Sequence, residues 1–232
     1  MSILDSVRKQ ITPIHPEGYI FVAVAAIAAL ILHWLWSPLG WIAGFIALGV
    51  AYFFRDPSRV TPVLDGLVVA PADGTVVSIG SFAPPAELGL GPDPLQRVSI
   101  FLSIFDVHVN RAPVTGRISR IAYKPGTFVN ADLDKASEDN ERNGLVIDSP
   151  LGQFGVVQIA GLVARRIVTF VQEGQSLGVG ERFGLIRFGS RVDVYFPAGA
   201  RILVGLGTRT IAGETVIADF NPGEPERHFK VG

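Results

Sequence analysis

The sequence predicts a mainly β protein: a compact antiparallel β sandwich or barrel-like domain preceded by an N-terminal hydrophobic helical hairpin. Three observations predict it. Two long apolar runs stand near the N-terminus, short β-rich runs alternate with Gly and Pro from Asp56 onward, and no long helical pattern follows outside a short stretch at Leu162–Arg165.

The hairpin comes first. Residues Tyr19–Trp36 carry no formal charge except what His33 can take up, and Leu39–Phe54 carry none. Between them Ser37-Pro38-Leu39-Gly40 is a turn signal. As helices these runs would each be about 24–27 Å long against a hydrocarbon core of about 30 Å. They therefore read as a hairpin that spans a thin bilayer or re-enters it from one side. Trp34, Trp36 and Trp41 cluster near the turn and Tyr52 near the exit, as interface aromatics do. Arg8 and Lys9 precede the hairpin and Arg55 and Arg59 follow it, which places both ends, and the domain beyond, on the cytoplasmic side of the cell membrane. A cleaved signal peptide fits poorly, because the apolar run is double and no small-residue cleavage site precedes Arg55. A hairpin buried inside a soluble protein is the weaker alternative, given the uncharged length. The expected organisation is an anchor over residues 1–55 and a β-rich domain over 56–232.

Within that domain the expected strands are Leu67–Ala70, Thr75–Ile79, Val98–Ile104, Gly116–Tyr123, Gly144–Asp148, Phe154–Ile159, Arg166–Phe170, Arg182–Phe188, Val192–Phe196 and Arg201–Val204. Gly80–Gln96 is rich in Pro and Gly and is expected to be a mobile loop. Lys135–Asn143 reads as a charged loop and Glu224–Gly232 as a frayed tail. Ala70-Pro71-Ala72-Asp73-Gly74-Thr75-Val76 resembles Ala112-Pro113-Val114-Thr115-Gly116-Arg117-Ile118. Either an old repeat or common turn chemistry would produce this, and turn chemistry is the simpler account.

Composition removes several classes of function. The formal net charge is −1, so no basic field attracts nucleic acid. With no cysteine there are no disulfides, thiolate metal sites or thiol nucleophiles, and no metal site is expected. The four histidines are His15, His33, His108 and His228.

Three segments could carry chemistry. The Asp73-Gly74 pair between two β runs reads first as a hairpin turn. In Phe101–Pro113 (FLSIFDVHVNRAP), His108 has Asp106, Asn110 and Arg111 close by in sequence, and it is the only histidine inside the β domain proper. A base titrating near neutrality would have to be this residue, although a strand histidine is more often a hydrogen-bonded core group. In Glu181–Val194 (ERFGLIRFGSRVDV), a Gly-Ser pair interrupts a strong β run, which marks either a bulge or a close backbone approach.

Taken together in this order, PADG, FDVHVNRAP and the late FGS, with NERNG at Asn140–Gly144 and IAGLVARRI at Ile159–Ile167, resemble the short prokaryotic phosphatidylserine decarboxylases from the anchor to about Asp219. The resemblance implies that Ser190 becomes a covalent pyruvoyl cofactor. Cleavage between Gly189 and Ser190 would give a large chain, 1–189, and a small chain, 190–232, that stay associated. Long forms of the family carry Leu-Gly-Ser-Thr and two histidines three apart. Here the residues are Phe-Gly-Ser-Arg, with His108 and then Arg111, so a single histidine is left for two stages.

The implied chemistry is consistent with the residues present. Decarboxylating an α-amino acid needs an electron sink, and four lysines with no phosphate-binding glycine fingerprint give pyridoxal phosphate little support. The expected arrangement is a Ser190 nucleophile, a His108 base oriented by Asp73, and a glycine on the acyl side that leaves the carbonyl open to attack. The lipid amine would then form a Schiff base on the pyruvoyl group and yield phosphatidylethanolamine and carbon dioxide. Arg111, Arg165 and Arg166 are the candidates for the headgroup phosphate. The partner is phosphatidylserine in the membrane, and a homo-oligomer is compatible with the reading. The rival is a membrane-tethered, lipoyl-like β binding or adaptor module. It accounts for the PADGTV turn and leaves the FGS element and His108 unexplained.

Overall fold

The computed structural model describes residues 12–126, 140–161, 166–187, 190–221 and 229. The chain divides into two compact units, one up to Ser58 and one from Arg59 onward.

The first unit is a helical hairpin. Helices α1 (Tyr19–Leu35) and α2 (Ser37–Phe53) are joined by Trp36 alone. The turn is this tight because Gly40 lies against α1, where an added Cβ would sit 2.3 Å from the His33 Cα. At the open end His15 N–H donates to the Phe54 carbonyl and Asp56 N–H to the Pro13 carbonyl, both at 2.8 Å, so entry and exit lie side by side. Phe21 stacks on Phe54 at 5.3 Å. No residue of α1 is buried, and Ile20, Leu30, Phe45 and Leu48 are all exposed. A contiguous apolar surface of this kind is a liability in water and is what hydrocarbon requires. The segment Pro16–Leu35 is long and apolar enough to cross a membrane; Ser37–Phe53 is shorter.

The second unit is a curled antiparallel half-barrel. Its strands are β1 (Leu67–Val69), β2 (Gly74–Phe82), β3 (Leu95–Leu102), β4 (Val109–Arg111), β5 (Gly116–Lys124), β6 (Arg142–Ser149), β7 (Gly152–Ala160), β8 (Ile167–Thr169), β9 (Ser176–Leu177), β10 (Arg182–Ile186), β11 (Ser190–Phe196), β12 (Arg201–Ile202), β13 (Arg209–Thr210) and β14 (Val216–Asp219). Among the described residues these form three sheets, ordered β13-β2-β3-β11-β7-β6-β5-β9, β1-β14-β12 and β4-β10-β8. One core joins them: Val76, Ile100, Val192, Val156 and Ile147 from the large sheet meet Val68, Ile217, Phe183 and Ile186 from the small ones.

These orders read the same from either end, and the domain is an internal repeat. β1, β2, β3, β11, β12, β13 and β14 correspond in turn to β4, β5, β6, β7, β8, β9 and β10. The hydrogen bonds repeat as well. Val69 N–H donates to Pro113 O at 3.0 Å, and Arg111 N–H to Pro71 O at 2.9 Å. Ala70 N–H bonds Thr215 O at 2.8 Å as Ala112 N–H bonds Glu181 O at 2.7 Å. Both halves carry a register shift at the same place, Val76/Ser78 in β2 and Ile118/Arg120 in β5. At both strand starts only glycine fits: a Cβ on Gly74 would lie 2.2 Å from Phe101 O, and one on Gly116 2.5 Å from Asp148 O. The likeness of the two Pro-containing segments is thus structural duplication, and the simpler account by turn chemistry is corrected.

The repeat locates a seam. In the second half β6 turns directly into β7, with Ser149 opposite Gly152. In the first half the equivalent strands β3 and β11 also pair, Leu102 opposite Ser190, yet the whole second half lies between them in sequence. The chain leaves the first half after Leu102 and returns to it at Ser190.

Two loop expectations change. Gly80–Gln96 is a packed cover: Leu88 is buried, and with Leu90 and Leu95 it closes Val146, Val157, Ile159 and Tyr195 on the sheet's other face. Two apolar leucines in a Gly/Pro-rich stretch carry that burial, and Arg142 pairs with Glu87 beside them. Leu88→Ala should cost about 2–4 kcal/mol, read as a lower urea midpoint with unchanged slope. Asn140–Asn143 is likewise buried and enters β6, so only 135–139 of the expected charged loop lies outside the described residues. Residues 162–165 and most of 224–232 lie outside them too.

Candidate functional site

Ser190 opens β11 and faces the core. Alternation places Val192, Val194 and Phe196 on the same inner face, with Arg191, Asp193 and Tyr195 on the other. There Arg191 and Asp193 form a bidentate pair at 2.9 and 3.0 Å. Ser190 is fully buried, and its Oγ has no hydrogen-bond partner among the described residues. An unsatisfied buried hydroxyl costs about 1–3 kcal/mol, so its presence in an otherwise apolar row calls for a use.

His108 lies in the segment that leaves the first half after Leu102. It precedes β4, is 1% exposed, and its carbonyl accepts from Ile186 N–H at 3.2 Å, at the end of β10 just before the Gly-Ser junction. The ring Nδ1 lies 2.9 Å from the Asp106 carbonyl oxygen. A carbonyl can only accept, so Nδ1 carries the hydrogen, and in the neutral ring Nε2 is the proton acceptor.

Asp73 does not supply that orientation. Its Oδ2 accepts from Arg59 at 2.7 Å and its Oδ1 from Ala212 N–H at 2.8 Å. The repeat explains why: the equivalent Thr115 Oγ1 accepts from Val179 N–H at 3.0 Å, so position 73 braces a turn in both halves. The expected Asp73–His108 bond is replaced by the main chain of Asp106. Sequence reasoning missed this because it looked for a side chain, and the signal was proximity: Asp106 is two residues from His108.

Asp106 itself is tied down by its carboxylate, which accepts from Ser103 N–H at 2.8 Å and from Arg209 at 2.5 Å. Burial pushes its pKa up, but the Arg209 guanidinium and the Ser103 bonds outweigh burial and hold it below the ordinary carboxylate value. The folded state therefore favours the ionised form. The stability this gives is complete above the unfolded value, about 3.9, and is lost as pH falls through the lower folded value. Asp106→Asn should flatten the acid limb of the unfolding midpoint below about pH 4 relative to the parent.

Beside this row the inner face also carries a hydrogen-bonded polar cluster. Gln158 donates to Asn110 at 2.8 Å, and Asn143 donates to Gln158 at 3.1 Å and Thr169 at 3.0 Å. Asn140 donates to Ala160 O at 2.7 Å, bracing the β7 residue that pairs with Ser190. The NERNG segment thus supports the site from a buried strand. Of the expected phosphate ligands, Arg111 is buried and donates to Gly180 O at 2.9 Å, which gives it a structural partner in place of a headgroup. Arg166 is exposed, and its carbonyl accepts from Arg187 N–H at 3.2 Å. Gly189 and Arg165 lie outside the described residues.

Ser190 is thus buried where the chain enters β11, and His108 is buried in the segment that runs from β3 to β4. The profile of the phosphatidylserine decarboxylase family matches residues 46–218. A phosphatidylserine decarboxylase proenzyme from Beijerinckia indica subsp. indica is 62% identical over 232 residues, covering 100% of both chains. The chain belongs to the phosphatidylserine decarboxylase family, and its reaction class is that of a lyase.

Proposed function

We propose that this chain is a precursor that cuts itself between Gly189 and Ser190 and then decarboxylates phosphatidylserine to phosphatidylethanolamine at a membrane surface. The observation that carries the proposal is the buried Ser190 hydroxyl at the start of β11, without a hydrogen-bond partner among the described residues.

His108 Nε2 takes the hydroxyl proton as Ser190 Oγ attacks the Gly189 carbonyl. The peptide C–N bond breaks, an ester forms, and the Ser190 nitrogen becomes an amine. Loss of the Ser190 α-proton then expels Gly189 as a carboxylate. Water replaces the nitrogen as ammonia, leaving a pyruvoyl end on residue 190. A positioned general base contributes about 10²–10⁴-fold, and intramolecular placement about 7–11 kcal/mol. The residues present fit such a group, since position 190 faces an enclosed inner surface. When formed, it supplies a carbonyl that captures the substrate amine and accepts the electrons released with carbon dioxide. His108 then returns a proton to the product carbon, and Arg166, which is exposed, is the proposed partner of the headgroup phosphate.

The two fragments would stay together, because β11 pairs on both sides with strands of the large piece, β3 and β7, while β13 pairs with β2 and β14 with β1. The apolar hairpin supports membrane association, and its flanking basic residues support a cytoplasmic catalytic domain. Treating purified protein with phenylhydrazine tests the reading. The 190–232 piece should gain one hydrazone in mass and carbon dioxide release should stop; an unmodified piece in an active enzyme would defeat it.

A further inference from the structure

Beyond the reaction itself, we propose that the Ser103–Val107 loop is a membrane-contact element that presses the mouth of the site into an anionic lipid surface. The inference rests on the decarboxylase reading only for the identity of the lipid. Leu102 is the last residue of β3 and lies opposite Ser190, so the loop leaves the sheet at the edge where the cleavage junction enters it. Its tip is apolar and exposed: Ile104 is 52% and Phe105 69% accessible. Ile211, also exposed, follows β13, whose Thr210 pairs with Gly74 at the start of β2; it therefore leaves the sheet at the same edge. This apolar cluster lies exposed at the sheet edge where Ser190 begins β11, and clustered exposed apolar groups mark interaction surfaces.

Charge identifies the partner. The Arg209 side chain is 62% exposed, whereas its Asp106 partner is only 7% exposed. The ion pair therefore turns its cationic end outward beside Ile104 and Phe105 and keeps its anionic end beneath. A surface that is apolar and cationic matches a bilayer rich in phosphatidylserine. The loop is also firm enough to act as a support, since Asp106 binds both Ser103 N–H and Arg209, and its carbonyl holds His108. Contact with lipid would thus be made three and four residues from the base.

The absence of cysteine makes the test clean. Full-length Phe105→Cys and, separately, Ile104→Cys carry an environment-sensitive fluorophore in vesicles of phosphatidylcholine and phosphatidylserine. Ser81→Cys, exposed at the far end of β2, is the reference. Nitroxide placed shallowly on the acyl chains should quench the labels at 104 and 105 at least about twofold more than the label at 81. Equal quenching at all three positions, in vesicles where the parent releases carbon dioxide, overturns the inference and leaves the decarboxylase reading intact. A parent that releases none defeats that reading whatever the labels report. Independently, Ile104→Ser/Phe105→Ser should lower turnover of bilayer substrate relative to dispersed short-chain substrate by about tenfold, from the lost apolar contact. An unchanged ratio would also overturn the inference.

Discussion

Ser190→Ala should leave the chain whole at 232 residues and without activity, a loss of at least about 10⁶-fold, the low end of enzymatic acceleration. The size of the effect follows from the serine having two uses. It is the nucleophile of the cut and the source of the reactive carbonyl, so no residual pathway remains. Stability separates this from damage to the fold. The Oγ is buried without a partner among the described residues, and deleting it removes an unsatisfied group. The variant should unfold at the same urea concentration as the parent precursor or a higher one, by up to about 1 kcal/mol. A cut Ser190→Ala chain would exclude the scheme.

His108→Ala should slow the cut by about 10²–10⁴-fold, followed as the fraction of intact chain with time. Alanine also opens a cavity at a site that is 1% exposed and leaves the Asp106 carbonyl without its donor, so a stability cost accompanies the kinetic one. His108→Gln separates the two. Its amide N–H can still reach the carbonyl and restore packing, yet it cannot take a proton. Stability should recover while cutting stays slow. If His108→Gln cuts at the parental rate, the imidazole is not the base. Asp106→Asn keeps its main-chain carbonyl and should cut far faster than either variant.

The architecture was legible where one residue type decides it. The hairpin followed from two uncharged runs and a Ser-Pro break, and the strand runs followed from β-branched and aromatic residues between glycines. The short strands β4, β9, β13 and β14 were not visible, because two to four residues carry no period that distinguishes them from loops. The repeat was legible only as a pair of seven-residue segments, since its proof lies in bonds between residues such as Val69 and Pro113. The site divides in the same way. Ser190 and His108 stood out by rarity and context. Asp73 was over-read, because a carboxylate near a histidine in a motif looks like an orienting group, whereas its oxygens belong to Arg59 and Ala212. The restraint on His108 that the structure shows is a peptide carbonyl, and every residue has one.

The position of Ser190 has a physical reason in the fold. In the second half β6 turns directly into β7, whereas at Leu102 and Ser190 the chain departs and returns across a whole half-domain. Breaking it there costs no turn, and β11 remains paired on both sides.

Intact mass spectrometry of the purified full-length protein tests this most directly. Two species are expected, one ending at Gly189 and one beginning at residue 190, the latter lighter than a serine-initiated peptide by the loss of ammonia. A single unbroken polypeptide that still releases carbon dioxide from phosphatidylserine would contradict the account.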